Sequence, residues 1–386
     1  MSHFAVLVVL PEEPTDEALG RTLAPWHEFE CTGRDDEYVI DIDITQDANA
    51  EYDRWTTTRL RDGDGNLHDP YDDEGELKVQ FSKADETGYR RFHAPDGYEE
   101  VKIPVSDVEE RAAWIADFHG THVALGEAMI DTANRHKFGH VLVDESGEVV
   151  RVVKRTNPNR KWDYWTVGGR YSGRLAPGYD PQKDPANLED CFCSDRRSDP
   201  SGCNSCNGTG RRAKWPSKWT DVGNRARWGD ISLGKLKEAR VAERNDMVEE
   251  MRASSGLSAE EFETGFSAHR AAREIWLELE EPRPRGPEYT EWLRTQPDGD
   301  LAAAYRSSDT WGDIEPDAGQ TIAEWVAAAP AISAYAIVID GKWCSRGEMG
   351  WFGVSHGESD DWPSQMQAII AAIPADHHVA YVDCHI

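Results

Sequence analysis

Two apolar stretches at opposite ends of the chain set the first constraint. "HFAVLVVL" (residues 3–10) and "HHVAYVDCHI" (377–386) are rich in β-branched and aromatic residues. Each suits one strand, and neither approaches the ~20 apolar residues of a membrane span. The first is continuously apolar and fits a strand buried on both faces. With strands near both ends and helices between, the terminal strands are expected in one sheet. Between them the apolar spacing turns helical, from Ile231 to about Glu281 and again in "AGQTIAEWVAAAPA". "LSAEEF" carries a capping box, with Ser258 as N-cap and Glu261 three residues on. The pattern predicts an α+β protein. Its sheet is mixed or antiparallel and built from both chain ends, and a helical region lies in the middle.

Shorter signals fill in the rest. "DEYVIDIDIT" alternates as a strand, and "FGHVLVDESGEVVRVVKRT" reads as a hairpin turning at Asp144–Gly147. "VSDVEERAAWIADFHGTHVALGEAMIDTANRH" reads as two helical segments broken near Gly120. A second hairpin turns at Asp340-Gly341, followed by a helix in "WPSQMQAIIAAIP". Asp62, Asp64 and Asn66 mimic the start of a calcium loop, but Leu67 stands where that loop requires Gly. Shifts in composition divide the chain into 1–175 (α+β), 176–220 (cysteine-rich insertion), 221–330 (helical) and 331–386 (hairpin, helix and returning strand). The opening lacks a basic start, so it is expected to be a first strand and not a signal peptide.

Charge is unevenly spread over the 386 residues, whose net charge is −30. Residues 1–110 hold 29 acids and 10 bases, whereas 151–240 hold 19 bases and 10 acids. Such an acidic surface repels phosphate backbones and argues against broad nucleic-acid binding. The basic island can still attract a small anion. The same balance suits a cytoplasmic protein with no membrane partner.

Four of the seven cysteines fall in "CFCSDRRSDPSGCNSC". Cys191 and Cys193 form one close pair, Cys203 and Cys206 another, and four thiolates at such spacing can surround one tetrahedral zinc. Four protein ligands leave no open position, so the expected zinc is structural. The surrounding segment is too poor in apolar residues to fold by burial. Its second half, Cys-x-x-Cys-x-Gly-x-Gly, resembles one knuckle of the zinc module of J-domain chaperones, in which the backbone wraps so that amides point at sulfur. Cys31, Cys344 and Cys384 carry no partner signature and are expected in the core.

Residues 157–173, "NPNRKWDYWTVGGRYSG", gather aromatics, cations and glycines inside the basic island. Trp162 offers a flat wall, Gly168 and Gly169 close backbone approach, and Arg170 and Ser172 polar contacts, as a phosphate- or base-bearing ligand requires. A bent, well-packed sheet uses the same residues. No phosphate-loop or dinucleotide fingerprint is present. A second unusual stretch, residues 345–362, contributes Arg346, Glu348 and Trp351. On the last strand Asp383 and His385 share a face and can form an acid–base pair. Asp163, Asp230 and Glu348 complete the acid–base candidates, with Arg346 as a second anion contact and Trp351 as a second stacking wall.

On these stretches the chain resembles a family of uncharacterised tailed-phage and bacterial proteins. The likeness rests on the Met-Ser-His-Phe opening, on Asn157-Pro158-Asn159, Lys161-Trp162-Asp163, Gly168-Gly169-Arg170 and Ser172-Gly173. It continues in Gly229-Asp230-Ile231, Arg346 to Trp351, and Val382 to Ile386. Tyr171 stands where Trp is usual, and the acidic 44–105 region departs from the pattern. The resemblance implies a phage-type origin and an intracellular setting, and brings no activity with it.

The expected function is binding, with hydrolysis as one option, of a nucleotide or other phosphate-bearing small ligand. Two alternatives stand beside it. The acidic residues 1–110 can bind a host protein as a nucleic-acid mimic, and the basic Trp-rich segment 151–240 can bind RNA or single-stranded DNA. Oligomeric state is not legible.

Overall fold

The computed structural model describes residues 3–70, 80–81, 92–125, 138–195, 203, 205–206, 208–279, 283–308, 314, 320–349, 355–359 and 361–386. The chain is α+β and divides into two compact units, Met1–Leu23 with Tyr164–Ile386, and Ala24–Asp163. The second unit is thus inserted between the first strand and helix of the first unit and the rest of it. This division falls elsewhere than the boundaries at 175, 220 and 330, because composition follows charge and cysteine content, whereas contacts follow strand pairing.

The first unit is organised by a six-stranded sheet. The closing strand His378–His385 runs antiparallel to the first strand His3–Leu10 along its whole length, from His3 opposite His385 to Leu10 opposite His378. Both are buried, the first as its continuous apolar character requires and the closing strand with Asp383 and His385 included. On one side the first strand pairs in parallel with Ala336–Ile339, which turns back into Lys342–Ser345. Asp340 and Gly341 both have positive φ, 51° and 67°, as a tight two-residue hairpin demands. On the other side the closing strand pairs at its end with Tyr164–Val167 and near its start with Arg225–Arg227.

Alternation along the two central strands sorts the core. Ala5, Leu7 and Val9 with Val379 and Tyr381 point to one face, where Leu236, Trp362, Met366 and Trp228 cover them. Tyr381 donates to the Ser333 carbonyl at 2.8 Å, and Trp362 Nε1 to that of Ala334 at 3.1 Å, so these aromatics are buried with their polar atoms satisfied. Trp165, on the other face, lies 3.9 Å from the position of a Cβ on Gly20 in the helix Asp16–Leu23.

A helical layer completes this unit, chiefly Leu233–Ser255, Ala259–Leu277, Gly299–Ser308 and Ile322–Ala327. The capping box at Ser258 and Glu261 is present, with both reciprocal hydrogen bonds made. Phe262, Phe266, Tyr305 and Trp325 form its core. Gly265 allows the close approach, since a Cβ there would lie 2.5 Å from the Leu301 carbonyl oxygen.

In the second unit the hairpin Gly139–Val143/Val149–Thr156 forms as expected, flanked by Ile40–Asp43 and His122–Leu125. Helices Thr45–Arg54 and Arg111–Phe118 bury Tyr52, Ala112 and Ile115 with Val141 and Val152. The segment after Gly120, expected to be helical, starts instead as the strand His122–Leu125, which pairs in parallel with Gly139–Val143. Tertiary pairing overrides local propensity here, and residues 126–137 lie outside the described residues. Asp62 closes its own loop by accepting from Asp64 N and Asn66 N, leaving the calcium-like spacing as an ordinary turn. Among the described residues no helix is long and apolar enough to cross a membrane.

Candidate functional site

The register of the sheet brings a polar cluster to one end of it. Tyr164, His385 and His3 lie side by side on three adjacent strands. Asp383, two residues along the closing strand, shares their face. Its carboxylate accepts from His3 Nδ1 at 2.9 Å through Oδ1 and from the Arg170 backbone N–H at 2.8 Å through Oδ2. His385 stacks on Tyr164 with ring centroids 4.4 Å apart and meets His3 edge-on at 4.9 Å. Asp383 and His385 are buried, the His3 side chain is 17% exposed, and the Tyr164 residue is 46% exposed. The cluster therefore runs from a sealed carboxylate to an accessible rim.

Asp383 and His385 do share a face, as alternation requires, yet the histidine bonded to Asp383 is His3. Only the pairing of the chain's two ends reveals that partner.

The two glycines have a different task from the one expected of them. Gly168 and Gly169 have φ of 71° and 50°, values open chiefly to glycine. A Cβ on Gly169 would lie 2.5 Å from Asp383 Cβ, and one on Gly168 would lie 2.5 Å from Asn224 Cγ. The turn thus presses against the closing strand, which is how Arg170 N reaches Asp383. Its amides are not held open for a phosphate. Gly168 N donates to the Tyr381 carbonyl, Tyr171 N to that of Gly168, and Gly173 N to the Asn224 side chain. Ser172 is likewise occupied, its hydroxyl accepting from Asn224 Nδ2 at 3.4 Å. Asn224, fully buried, is the clasp that the sequence did not reveal.

What the turn presents outward is the Arg170 side chain, which is exposed and makes no ion pair among the described residues. Tyr171 donates to the His3 carbonyl at 3.1 Å; burial, together with the negative charge of Asp383, pushes its phenol up to about 12.

Other candidates make contacts of their own. Trp162 and Asp163 belong to the Ala24–Asp163 unit, with Asp163 directly preceding Tyr164 in the chain. Trp162 is buried there, its backbone bonded to Trp26 and Glu28 and its ring 6.2 Å from that of His27, so it packs instead of offering a stacking wall. Asp230 is exposed in a 3-10 turn beside Ala375, near the start of the closing strand. Seven residue steps lead from that end to His385, about 24 Å at ~3.4 Å each. Arg346 pairs with Glu358 at 2.7 Å, and its charge and that of Glu348 both act on the Tyr335 phenol. Tyr335 packs edge-on against Phe4, which by alternation faces away from His3. None of these contacts involves His3, Asp383 or Arg170. Trp351 lies outside the described residues.

The four cysteines come together as a second site. Leu188–Asp190 and Arg211–Ala213 form a two-stranded stem, and the loop between them carries all four. The sulfurs lie within 4.8 Å of one another, with Cys191–Cys203 at 3.7 Å and Cys193–Cys206 at 3.6 Å. A disulfide needs about 2.05 Å, so these are thiols gathered without bonding. The edge of an S4 tetrahedron around a metal with ~2.3 Å bonds is about 3.8 Å, close to both distances. The group can hold a metal ion. A hydrogen bond from the Ser205 backbone, aided by the neighbouring sulfurs, brings the Cys203 thiol down to about 7, as expected of a knuckle whose amides point at sulfur. Of the remaining cysteines, Cys384 is buried and Cys344 half-buried. Cys31 is exposed, contrary to its expected core role.

Comparison with protein-family models, with curated proteins and with solved structures returned no match.

Proposed function

We propose that the polar end of the six-stranded sheet binds a phosphate-bearing small ligand of the nucleotide kind, with His3 as an acid–base group positioned by Asp383. The observation that carries this reading is the 2.9 Å contact between His3 Nδ1 and Asp383. A carboxylate that accepts from both His3 and Arg170 N makes Nδ1 the protonated ring nitrogen and leaves the lone pair on Nε2. Such a base can take a proton from water as its oxygen bonds to phosphorus and the ester oxygen leaves, a contribution of ~10²–10⁴ in rate. Arg170 supplies a guanidinium fork suited to phosphate, and the exposed face of Tyr164 a ring for a base to stack on. The motif likeness to tailed-phage and bacterial proteins supports a cytoplasmic setting for such a ligand.

The cysteine site, on this reading, takes zinc. Four sulfur donors at tetrahedral spacing suit that ion, and with no open position the metal's role is to hold the loop.

The test is a thermal-shift panel of nucleotides, inorganic phosphate and pyrophosphate on the full chain, with Arg170→Gln and His3→Gln beside it. At least one phosphate compound raises the melting temperature, Arg170→Gln weakens that rise, and His3→Gln removes any hydrolysis. No shift with any compound, or a shift untouched by Arg170→Gln, overturns the reading.

A further inference from the structure

Arg174 and Arg240 form a feature that the cluster at the sheet end does not absorb. Arg174 leaves the same turn as Arg170, and Arg240 projects from the helix Leu233–Ser255. Arg240 Nη1 lies 2.6 Å from Glu243 Oε2, and Arg174 Nη1 lies 3.4 Å from the same oxygen. Arg240 Nη2 also donates to the Arg174 carbonyl at 3.1 Å, which fixes the two relative to each other. Two guanidiniums thus share one carboxylate and keep a net positive charge. The Arg240 side chain is 12% exposed and that of Arg174 38%, so this charge is recessed but reachable. Burial and the like charge of Arg240 lower the Arg174 guanidinium from its ordinary value, the expected mark of neighbouring cations lacking a full counter-charge.

Their position matters as much as their charge. Both act on the buried Tyr381 phenol, and Arg174 together with Arg170 acts on that of Tyr171, which donates to His3. Tyr381 stands two residues before Asp383 on the same face of the closing strand, about 7 Å away at ~3.4 Å per residue. The other charged group beside Tyr171 is Asp383, already engaged by His3 and Arg170 N.

We propose that Arg174 and Arg240 form a second anion subsite beside the His3–Asp383 pair, so that the ligand carries at least two phosphate groups. This rests on the phosphate reading of the sheet end. One group meets Arg170 and His3, and the other meets the Arg174–Arg240 pair. A monophosphate fills only one subsite, whereas a diphosphate or a bis-phosphorylated compound spans both. Glu243 then serves as a place-holding counter-charge, displaced or outweighed when the anion arrives.

Calorimetry of the full chain with inorganic phosphate, pyrophosphate and tripolyphosphate tests this. Pyrophosphate and tripolyphosphate are expected to bind at least about tenfold more tightly than phosphate, the gain one added charge-assisted contact supplies. Arg174→Gln and Arg240→Gln reduce both to the level of phosphate while leaving phosphate itself unchanged. Glu243→Gln strengthens pyrophosphate binding severalfold, a gain that a merely structural strap cannot produce, and it keeps the proposal testable should an arginine variant fail to fold. Equal affinities for phosphate and pyrophosphate, or no gain in Glu243→Gln, overturn the proposal. The underlying reading fails separately: phosphate affinity untouched by Arg170→Gln and by His3→Gln removes the first subsite, whatever the arginine pair does.

Discussion

His3 and Asp383 stand 380 positions apart in the chain and 2.9 Å apart in space. The closing strand runs antiparallel to the first with His385 opposite His3, which puts Asp383 diagonally across on the same face. A slip of one residue would send Asp383 to the other face and dissolve the pair. The register is held by the apolar residues that follow on both strands, so the core of the sheet and the geometry of the site depend on the same pairing.

Asp383→Asn keeps the shape of this side chain and changes what it accepts. One of its two oxygens becomes an NH2 group, which either opposes the Arg170 N–H as a second donor or obliges the His3 ring to move its proton from Nδ1 to Nε2. A buried donor set against a donor costs about 1–3 kcal/mol. Chemical denaturation is expected to show that loss in the first case, and NMR the Nε2-protonated His3 ring in the second; an unchanged midpoint with an unchanged ring tautomer would mean that Asp383 does not hold both partners.

Gly169→Ala combines a positive φ with a Cβ driven into Asp383. Strain of this kind costs about 1–3 kcal/mol, and relief requires the turn to leave the closing strand. The melting temperature should fall, and anion binding at Arg170 should weaken with it. Gly178→Ala makes a fair control, because φ there is also positive, 75°, but a Cβ would meet nothing within 4 Å. Equal losses in the two variants would contradict the packing argument.

How much of this was open to sequence reasoning depends on range. The capping box at Ser258, the Asp340-Gly341 turn, the hairpin at Asp144–Gly147 and the cysteine cluster are local patterns, and each is present. The union of the two terminal strands is expected from strand patterns near both ends with helices between. His3 carries no local signal because its role depends on register with a strand at the other end of the chain. Asn224 is silent in the sequence because a buried clasp has no local signature. The break between Asp163 and Tyr164 cuts through a single motif, and neither periodicity nor charge changes there. The pair Gly168-Gly169 signals close backbone approach, but φ and contact alone show that what approaches is Asp383 and Asn224.

Metal content can be measured on the full chain. One zinc per chain is expected, and strong chelation or Cys206→Ser should speed hydrogen exchange across residues 188–213. The six-stranded sheet, with its own apolar core, should keep its protection. A chain without bound metal that protects this loop equally well would show that the four sulfurs pack without one.

The sheet unit should also lose stability in alkali. Burial raises the Tyr381 and Tyr171 phenols from an ordinary value of 10.0 to about 12. As pH rises past about 10 the unfolded chain releases these protons while the folded chain retains them. The contribution is intact below that point and is lost progressively toward pH 12. Tyr381→Phe should flatten this decline, seen as a smaller alkaline drop in melting temperature. An unaltered slope would place the cause elsewhere.

The most direct measurement is a nitrogen-resolved NMR titration of histidine-labelled full chain with inorganic pyrophosphate. His3 is expected to carry a proton on Nδ1, toward Asp383, and its Nε2 signal is expected to shift as pyrophosphate binds. A His3 ring protonated at Nε2 alone, or one whose signals stay fixed at saturating pyrophosphate, would contradict a phosphate site organised around His3 and Asp383.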